Sequence, residues 1–170
     1  MGFFSRLMGG SDEQKTAASE LEILAPVSGE LVHLENTNDP AFSSRAVGDG
    51  VAVVPQEGTV CAPVSGTVAA LFPTEHALGI MSDDSSAQVM LHIGIDTVKL
   101  EGKGFHALVA QGDHVDAGQP LVEVDFDAVR AAGFDPTVFV IVCERSENST
   151  LREHASGPVA VKEPVVWLSE

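Results

Sequence analysis

Hydrophobic positions in this chain recur in short bursts of two-residue period, each broken after a few residues by Gly, Pro, Asp or Ser. From Leu21 onward the bursts predict strands at 21–25, 29–34, 51–54, 59–62, 66–71, 77–81, 88–94, 121–125 and 138–143, and in pieces over 158–168. One short helix is predicted from Asp125 to Ala132, closed by Gly133 as its C-cap. Many short strands with turn residues at their junctions predict an all-β fold, an antiparallel sandwich or barrel with short helical turns. The clearest alternation is Val89-Met90-Leu91-His92-Ile93. It places Val89, Leu91 and Ile93 on a core face and Met90 and His92 on the other.

That strand is the second arm of a hairpin predicted over Phe72 to Leu100, with the polar connector Ser82-Asp83-Asp84-Ser85-Ser86 between its arms. Each arm carries a histidine, His76 or His92, and a glycine, Gly79 or Gly94, which leaves room for something to approach. Facing residues on paired strands lie about 4.5–5.5 Å apart at Cβ, so two imidazoles can meet side by side. Thr74, two residues before His76, is expected to share its strand face and reach its ring. Asp96 follows His92 by four residues, beyond Gly94, where the chain leaves the strand. Spacing alone leaves three readings open: a functional pair, a structural pair, or a metal site.

A second pattern is an internal echo. Ile23-Leu24-Ala25-Pro26-Val27-Ser28-Gly29-Glu30-Leu31-Val32 returns 37 residues later as Val60-Cys61-Ala62-Pro63-Val64-Ser65-Gly66-Thr67-Val68-Ala69. Two copies are too few for a solenoid. They predict duplicated hairpin units packed face to face. The passage Gly112 to Val122 has the turn chemistry of biotinyl and lipoyl carrier domains. No Met-Lys-Met stands at its tip, so it reads as shared architecture rather than shared function.

Composition narrows the function classes. A chain of 170 residues that is 44% hydrophobic suffices for one well-buried domain, placed at 21–170 behind a leader at 1–20. A formal charge of −16 argues against a nucleic-acid partner, because that affinity comes from Lys and Arg at phosphates. It suits basic protein partners steered in by opposite charge. No apolar run approaches the ~20 residues that cross a bilayer and no signal peptide is visible, so a cytoplasmic location is expected. Phe3, Phe4, Leu7 and Met8 fall on one side of a short helix within residues 2–8. The segment is either a disordered leader or a weak peripheral contact with a membrane surface, since Arg6 is its only basic side chain. Cys61 and Cys143 sit in apolar runs and read as buried free thiols. His33, His106, His114 and His154 each stand alone among loop or edge residues.

Ala25-Pro26-Val27-Ser28-Gly29, Val47-Gly48-Asp49-Gly50-Val51-Ala52, Ala62-Pro63-Val64-Ser65-Gly66-Thr67-Val68, Thr74-Glu75-His76-Ala77 and His92-Ile93-Gly94-Ile95-Asp96-Thr97-Val98 together resemble the glucose-type IIA component of the bacterial sugar phosphotransferase system. They follow the family's order and nearly its intervals over residues 1–143. The resemblance implies a phosphocarrier that takes a phosphoryl group from phospho-HPr on the histidine of His-x-Gly-x-Asp. It then passes the group to a cysteine of a IIB domain. That histidine falls on His92, the family's second active-site histidine on His76, and the threonine that orients it on Thr74. Phe42, Val47, Phe72 and Met90 are expected in an apolar docking ring beside Gly94, with Asp39 and Asp96 as acidic contacts at its edge. Ala70, Met90 and Pro40-Ala41 depart from the common pattern and bear on partner choice rather than on transfer. In some lineages the family also regulates other proteins according to its phosphorylation state.

The chemistry is consistent with that assignment. A neutral imidazole carries a free nitrogen lone pair near pH 7 and attacks phosphorus without prior deprotonation. A second imidazole N–H stabilises the phosphoryl oxygens without any metal or cofactor. Two rivals are a zinc metallopeptidase of the lysostaphin or LytM type, which shares the His-x-Gly-x-Asp motif, and a regulatory binding module without transfer. The peptidase needs a His-x-His ligand motif that this chain lacks. Zinc at His76 and His92 is expected only adventitiously, or with a partner's carboxylate completing the shell.

Overall fold

Two copies of one short sequence start the two halves of the molecule. The computed structural model describes residues 19–170; the expectations for residues 2–8 lie outside them. The strands are β1 (Glu20–Leu24), β2 (Gly29–His33), β3 (Asp49–Pro55), β4 (Thr59–Cys61), β5 (Gly66–Leu71), β6 (Ala77–Ser82) and β7 (Ala87–Ile93). They continue as β8 (Phe105–Ala107), β9 (His114–Val115), β10 (Pro120–Val124), β11 (Val138–Arg145), β12 (Thr150–Glu153), β13 (Gly157–Val159) and β14 (Pro164–Ser169). Helix α1 (Pro40–Ser43) is a single turn and α2 (Phe126–Ala131) is little longer; 3-10 turns lie at Leu34–Asn36 and Thr97–Leu100. Among the described residues no helix is long and apolar enough to cross a membrane.

All strand pairs are antiparallel, as the alternation predicts. Eight strands form one sheet in the order β13-β2-β3-β11-β7-β6-β5-β9, and two three-stranded sheets, β1-β14-β12 and β4-β10-β8, complete the sandwich. The echoed turns clasp each other. Leu24 N–H donates to Pro63 O at 2.8 Å, and its counterpart Cys61 N–H donates to Pro26 O at 2.8 Å. The duplication also runs further than the echo. Gly118 N–H donates to Ala62 O (2.7 Å) as Lys162 N–H donates to Ala25 O (2.9 Å), so the carrier-like passage at 112–122 has a partner near the C-terminus. Gly118 and Lys162 both take left-handed backbone, with φ of 86° and 73°. A side chain is rarely tolerated there, and the lysine conceals the second repeat from the sequence.

Alternation along β7 then divides the large sheet into two faces. Val89, Leu91 and Ile93 are wholly buried in the main core, with Ile23, Leu31, Val60 and Leu121 among their cluster. Each such side chain contributes roughly 1.5–3 kcal/mol of burial. A smaller cluster of Leu34, Phe42, Ala52, Phe139 and Ile141 covers the other face, with Met90 packed against it. Helix α2 is one residue shorter at each end than predicted. Asp125 caps it by accepting from Ala128 N–H at 3.0 Å. Gly133, at φ 88°, closes it as Gly133 N–H reaches Arg130 O and Phe134 N–H reaches Val129 O, a Schellman ending.

Candidate functional site

His92 stands where five strands bring one row of side chains across the large sheet. The register runs Val32, Ala52, Phe139, His92, Ala77. Phe42 of α1 lies over this row, stacked on Phe139 at 4.3 Å between ring centres and tilted against His92 at 5.1 Å. The imidazole therefore rests on a packed aromatic floor. Beyond β7 the chain turns at Gly94, whose carbonyl lies 2.8 Å from His92 Nδ1. A carbonyl only accepts, so in the neutral ring Nδ1 carries the proton and Nε2 keeps the lone pair. Gly94 has φ 79°, and a Cβ there would overlap Thr97 and come within 3.0 Å of Asp135 O. That close approach explains the glycine.

His76 reaches the same place by a different route. The hairpin reading puts His76 on its first arm; β6 begins at Ala77, as the predicted strand 77–81 does, and Ala77 is the residue that faces His92. Continued strand alternation would send His76 toward the core with Leu78 and Ile80. Instead it ends a turn in which Glu75 N–H donates to Phe72 O at 2.8 Å, with Pro73 as the first central residue. Glu75 holds φ 61°, and its carboxylate accepts from Ala107 N–H at 2.9 Å. Thr74 is accordingly in this turn rather than on the expected strand face. Its Oγ1 still lies 2.6 Å from His76 Nδ1. The outcome is the predicted meeting of rings: His76 and His92 centres are 5.1 Å apart, with planes at 85°.

Burial is the main cause that lowers both imidazole pKa values. For His76 burial, with the neighbouring His92 second, lowers it to about 4. For His92 the Gly94 carbonyl, Asp39 and Asp96 pull partly the other way, and the net direction is still down. Both rings are neutral near pH 7. Among the described residues neither Nε2 has a hydrogen-bond partner, and no fully buried side-chain nitrogen or oxygen there lacks one. Each Nε2 therefore keeps some solvent access, although His76 as a whole is buried, at 3% exposure, and His92 is half-buried.

The expected docking residues divide. Phe72 and Val47 are exposed, at 46% and 39%, and Phe72 leans on the His76 ring at 5.6 Å. Met90 is half-buried. Phe42 departs from the expected rim: at 5% exposure it is floor, because stacking on Phe139 buries it. Asp39 spends one oxygen capping α1 through Ala41 N–H (2.9 Å), and Asp96 is exposed at a left-handed position, φ 60°. Phe139, missed by the motif reading, sits directly opposite His92. Its only sequence signal is its place in the apolar run 138–143. Three of the remaining histidines have partners of their own: His114 Nε2 is 3.0 Å from Asp83, and His33 Nε2 is 3.0 Å from His154 O. Among the described residues no three His, Cys, Asp or Glu side chains gather as a metal site, so zinc on the two imidazoles would need ligands from a partner.

The chain is similar to known proteins. The chain is 42% identical over 85% of its length to the PTS system glucose-specific EIICBA component of Streptococcus pneumoniae. It is 39% identical over 99% of its length to the PTS system beta-glucoside-specific EIIBCA component of Bacillus subtilis. It spans only 20% and 28% of those two relatives. Among solved structures it resembles the glucose permease IIA from Mycoplasma capricolum, with a TM-score of 0.81 and 35% identity over 88% of this chain and 96% of that one. The sequence model of one family, described as phosphoenolpyruvate-dependent sugar phosphotransferase system, EIIA 1, matches residues 21–148. With three quarters of its length inside that match, the chain belongs to the EIIA family of the sugar phosphotransferase system.

Proposed function

We propose that residues 21–170 act as one phosphocarrier domain of this system, with His92 as the phosphoryl acceptor. The observation that carries the reading is the geometry of the pair: two neutral rings 5.1 Å apart, each with Nε2 unpartnered among the described residues. The lone pair of His92 Nε2 attacks phosphorus on phospho-HPr. The Nε2–P bond forms as the donor's bond to phosphorus breaks, and the donor leaves with that electron pair. Thr74 O–H donates to His76 Nδ1, which leaves the Nε2–H of His76 for a phosphoryl oxygen. In the second transfer a cysteine thiolate of a IIB domain attacks the same phosphorus and His92 Nε2 becomes the leaving group. Phosphoryl transfer depends chiefly on in-line placement and charge stabilisation, and the fixed rings supply both.

Docking falls to the exposed apolar residues Phe72 and Val47 and to half-buried Met90, which packs against the Phe42–Phe139 cluster. Asp39 and Asp96 add acidic contacts for a basic partner face. An apolar patch edged by charge suits an interface that must form and release quickly. Family membership favours this reading over the zinc peptidase.

The test is intact-protein mass spectrometry after incubation with phosphoenolpyruvate, enzyme I and HPr. One acid-labile phosphoryl group is expected on the wild-type protein and none on His92→Ala. A His92→Ala protein that still takes up phosphate overturns the assignment.

A further inference from the structure

Asp135 lies in the loop between α2 and β11, outside every motif that marks the site. Its carboxylate nevertheless closes two contacts at once. Oδ1 accepts from both Thr137 N–H (2.9 Å) and the Thr137 hydroxyl, and Oδ2 accepts from Asn38 Nδ2–H at 3.1 Å. Burial opposes the charged form, but these donors outweigh it and hold the carboxyl below its usual pKa. The loop closed in this way presents two carbonyls to the turn after β7. Thr137 O takes Gly94 N–H at 2.8 Å, and Asp135 O takes Ile95 N–H at 2.9 Å. With both amides of that turn held, Gly94 O is directed back at His92 Nδ1. Asn38 meanwhile precedes Asp39, the cap of the helix that lays Phe42 against the His92 ring.

We propose that Asp135 is a positioning residue for the phosphoryl acceptor: by tying the 134–137 loop to Asn38 it holds Gly94 O on His92 Nδ1–H, so that Nε2 is always the lone-pair nitrogen and always faces outward. The inference rests on reading His92 as the acceptor. Its cost of failure is chemical rather than architectural. A ring free to swap its proton presents Nε2–H for part of the time, and that form cannot attack phosphorus through Nε2, its lone pair then lying on Nδ1, on the side of Gly94 O.

The experiment compares wild type, Asp135→Ala and Asp135→Asn by nitrogen-15 NMR of the histidine rings and by single-turnover phosphorylation from phospho-HPr. In the wild type His92 is expected as one tautomer with Nε2 unprotonated. In folded Asp135→Ala a mixture of tautomers is expected, with the maximal transfer rate about tenfold lower and the concentration of phospho-HPr at half-maximal rate unchanged. Asp135→Asn keeps one acceptor for Thr137 and is expected to recover part of the tautomer bias. A folded Asp135→Ala protein with one Nε2-unprotonated tautomer and the wild-type rate overturns the proposal. So does a wild-type His92 that is already mixed. Should Asp135→Ala not fold, Asn38→Ala removes the contact between the loop and Asn38, and a wild-type tautomer and rate in that variant likewise overturn it. A wild-type protein that takes no phosphate sinks the carrier reading instead, while the NMR comparison still decides the role of Asp135.

Discussion

The two imidazoles of the site touch, but the chain holds them by opposite means. His92 rises from the middle of a regular sheet and is anchored by main chain, through the carbonyl of Gly94. His76 hangs from a turn with a left-handed residue and is anchored by a side-chain hydroxyl, that of Thr74. A carbonyl has no proton to give, so the His92 anchor permits one tautomer of the neutral ring. A hydroxyl both donates and accepts, so the His76 anchor permits two. The difference fits the roles proposed above. The ring that must always offer a lone pair is locked, whereas the ring that answers a phosphoryl group can turn its proton toward the phosphate as the group arrives and departs.

The sharpest way to break this contrast is to remove the adaptable ring and keep the locked one. His76→Gln is expected to accept phosphate from phospho-HPr while its onward transfer to a IIB domain falls roughly 10²–10³-fold, the usual loss for one donor to developing charge. Two single-turnover rates, one for each half reaction, check it. Equal losses in both halves would show that the rings share one role.

How much of this contrast is written in the sequence depends on the range of the contacts. The face assignment of Val89, Leu91, Ile93 and His92 is legible because one buried face enforces a two-residue period. The echo at 23–32 and 60–69 is legible because its turns recur almost letter for letter. Strands of two to four residues, such as Phe105–Ala107, His114–Val115 and Thr150–Glu153, are too short to show a period, and the one-turn helix Pro40–Ser43 is lost for the same reason. The His76 turn was legible in composition but not in path: Pro73 and Thr74 suggest a turn, while the left-handed backbone falls on Glu75, a residue with no special preference for it. Phe42 over Phe139 and Asn38 beside Asp135 join residues 97 positions apart. No local pattern encodes such pairings.

A finer break leaves both rings in place and removes only the hydroxyl. Thr74→Val keeps the volume and shape of the side chain while the His76 Nδ1 contact at 2.6 Å is lost. One hydrogen bond contributes about 0.5–1.5 kcal/mol, so an effect of up to about tenfold is expected on onward transfer, with acceptance nearly unchanged. Nitrogen-15 shifts should change at His76 and stay constant at His92. A change at His92 as well would mean that the two anchors are coupled, which the separate turns give no reason to expect.

The smallest effect is in pH, and it follows from the direction of both shifts. The attacking form of His92 is neutral, and burial places its pKa below the ordinary histidine value of 6.5. Acceptance should therefore fall by less than about twofold between pH 8 and pH 6.5, where a free imidazole would already be half protonated. The same burial makes stability fall in acid. An unfolded histidine takes up its proton near pH 6.5, whereas folded His76 resists until about 4, so the unfolded chain binds more protons throughout that window. Melting temperature should decline from pH 6.5 toward pH 4, and His76→Gln should decline less steeply over the same range. If both proteins lose stability in parallel, the acid sensitivity belongs to other groups, and folding does not hold the His76 ring neutral over that range.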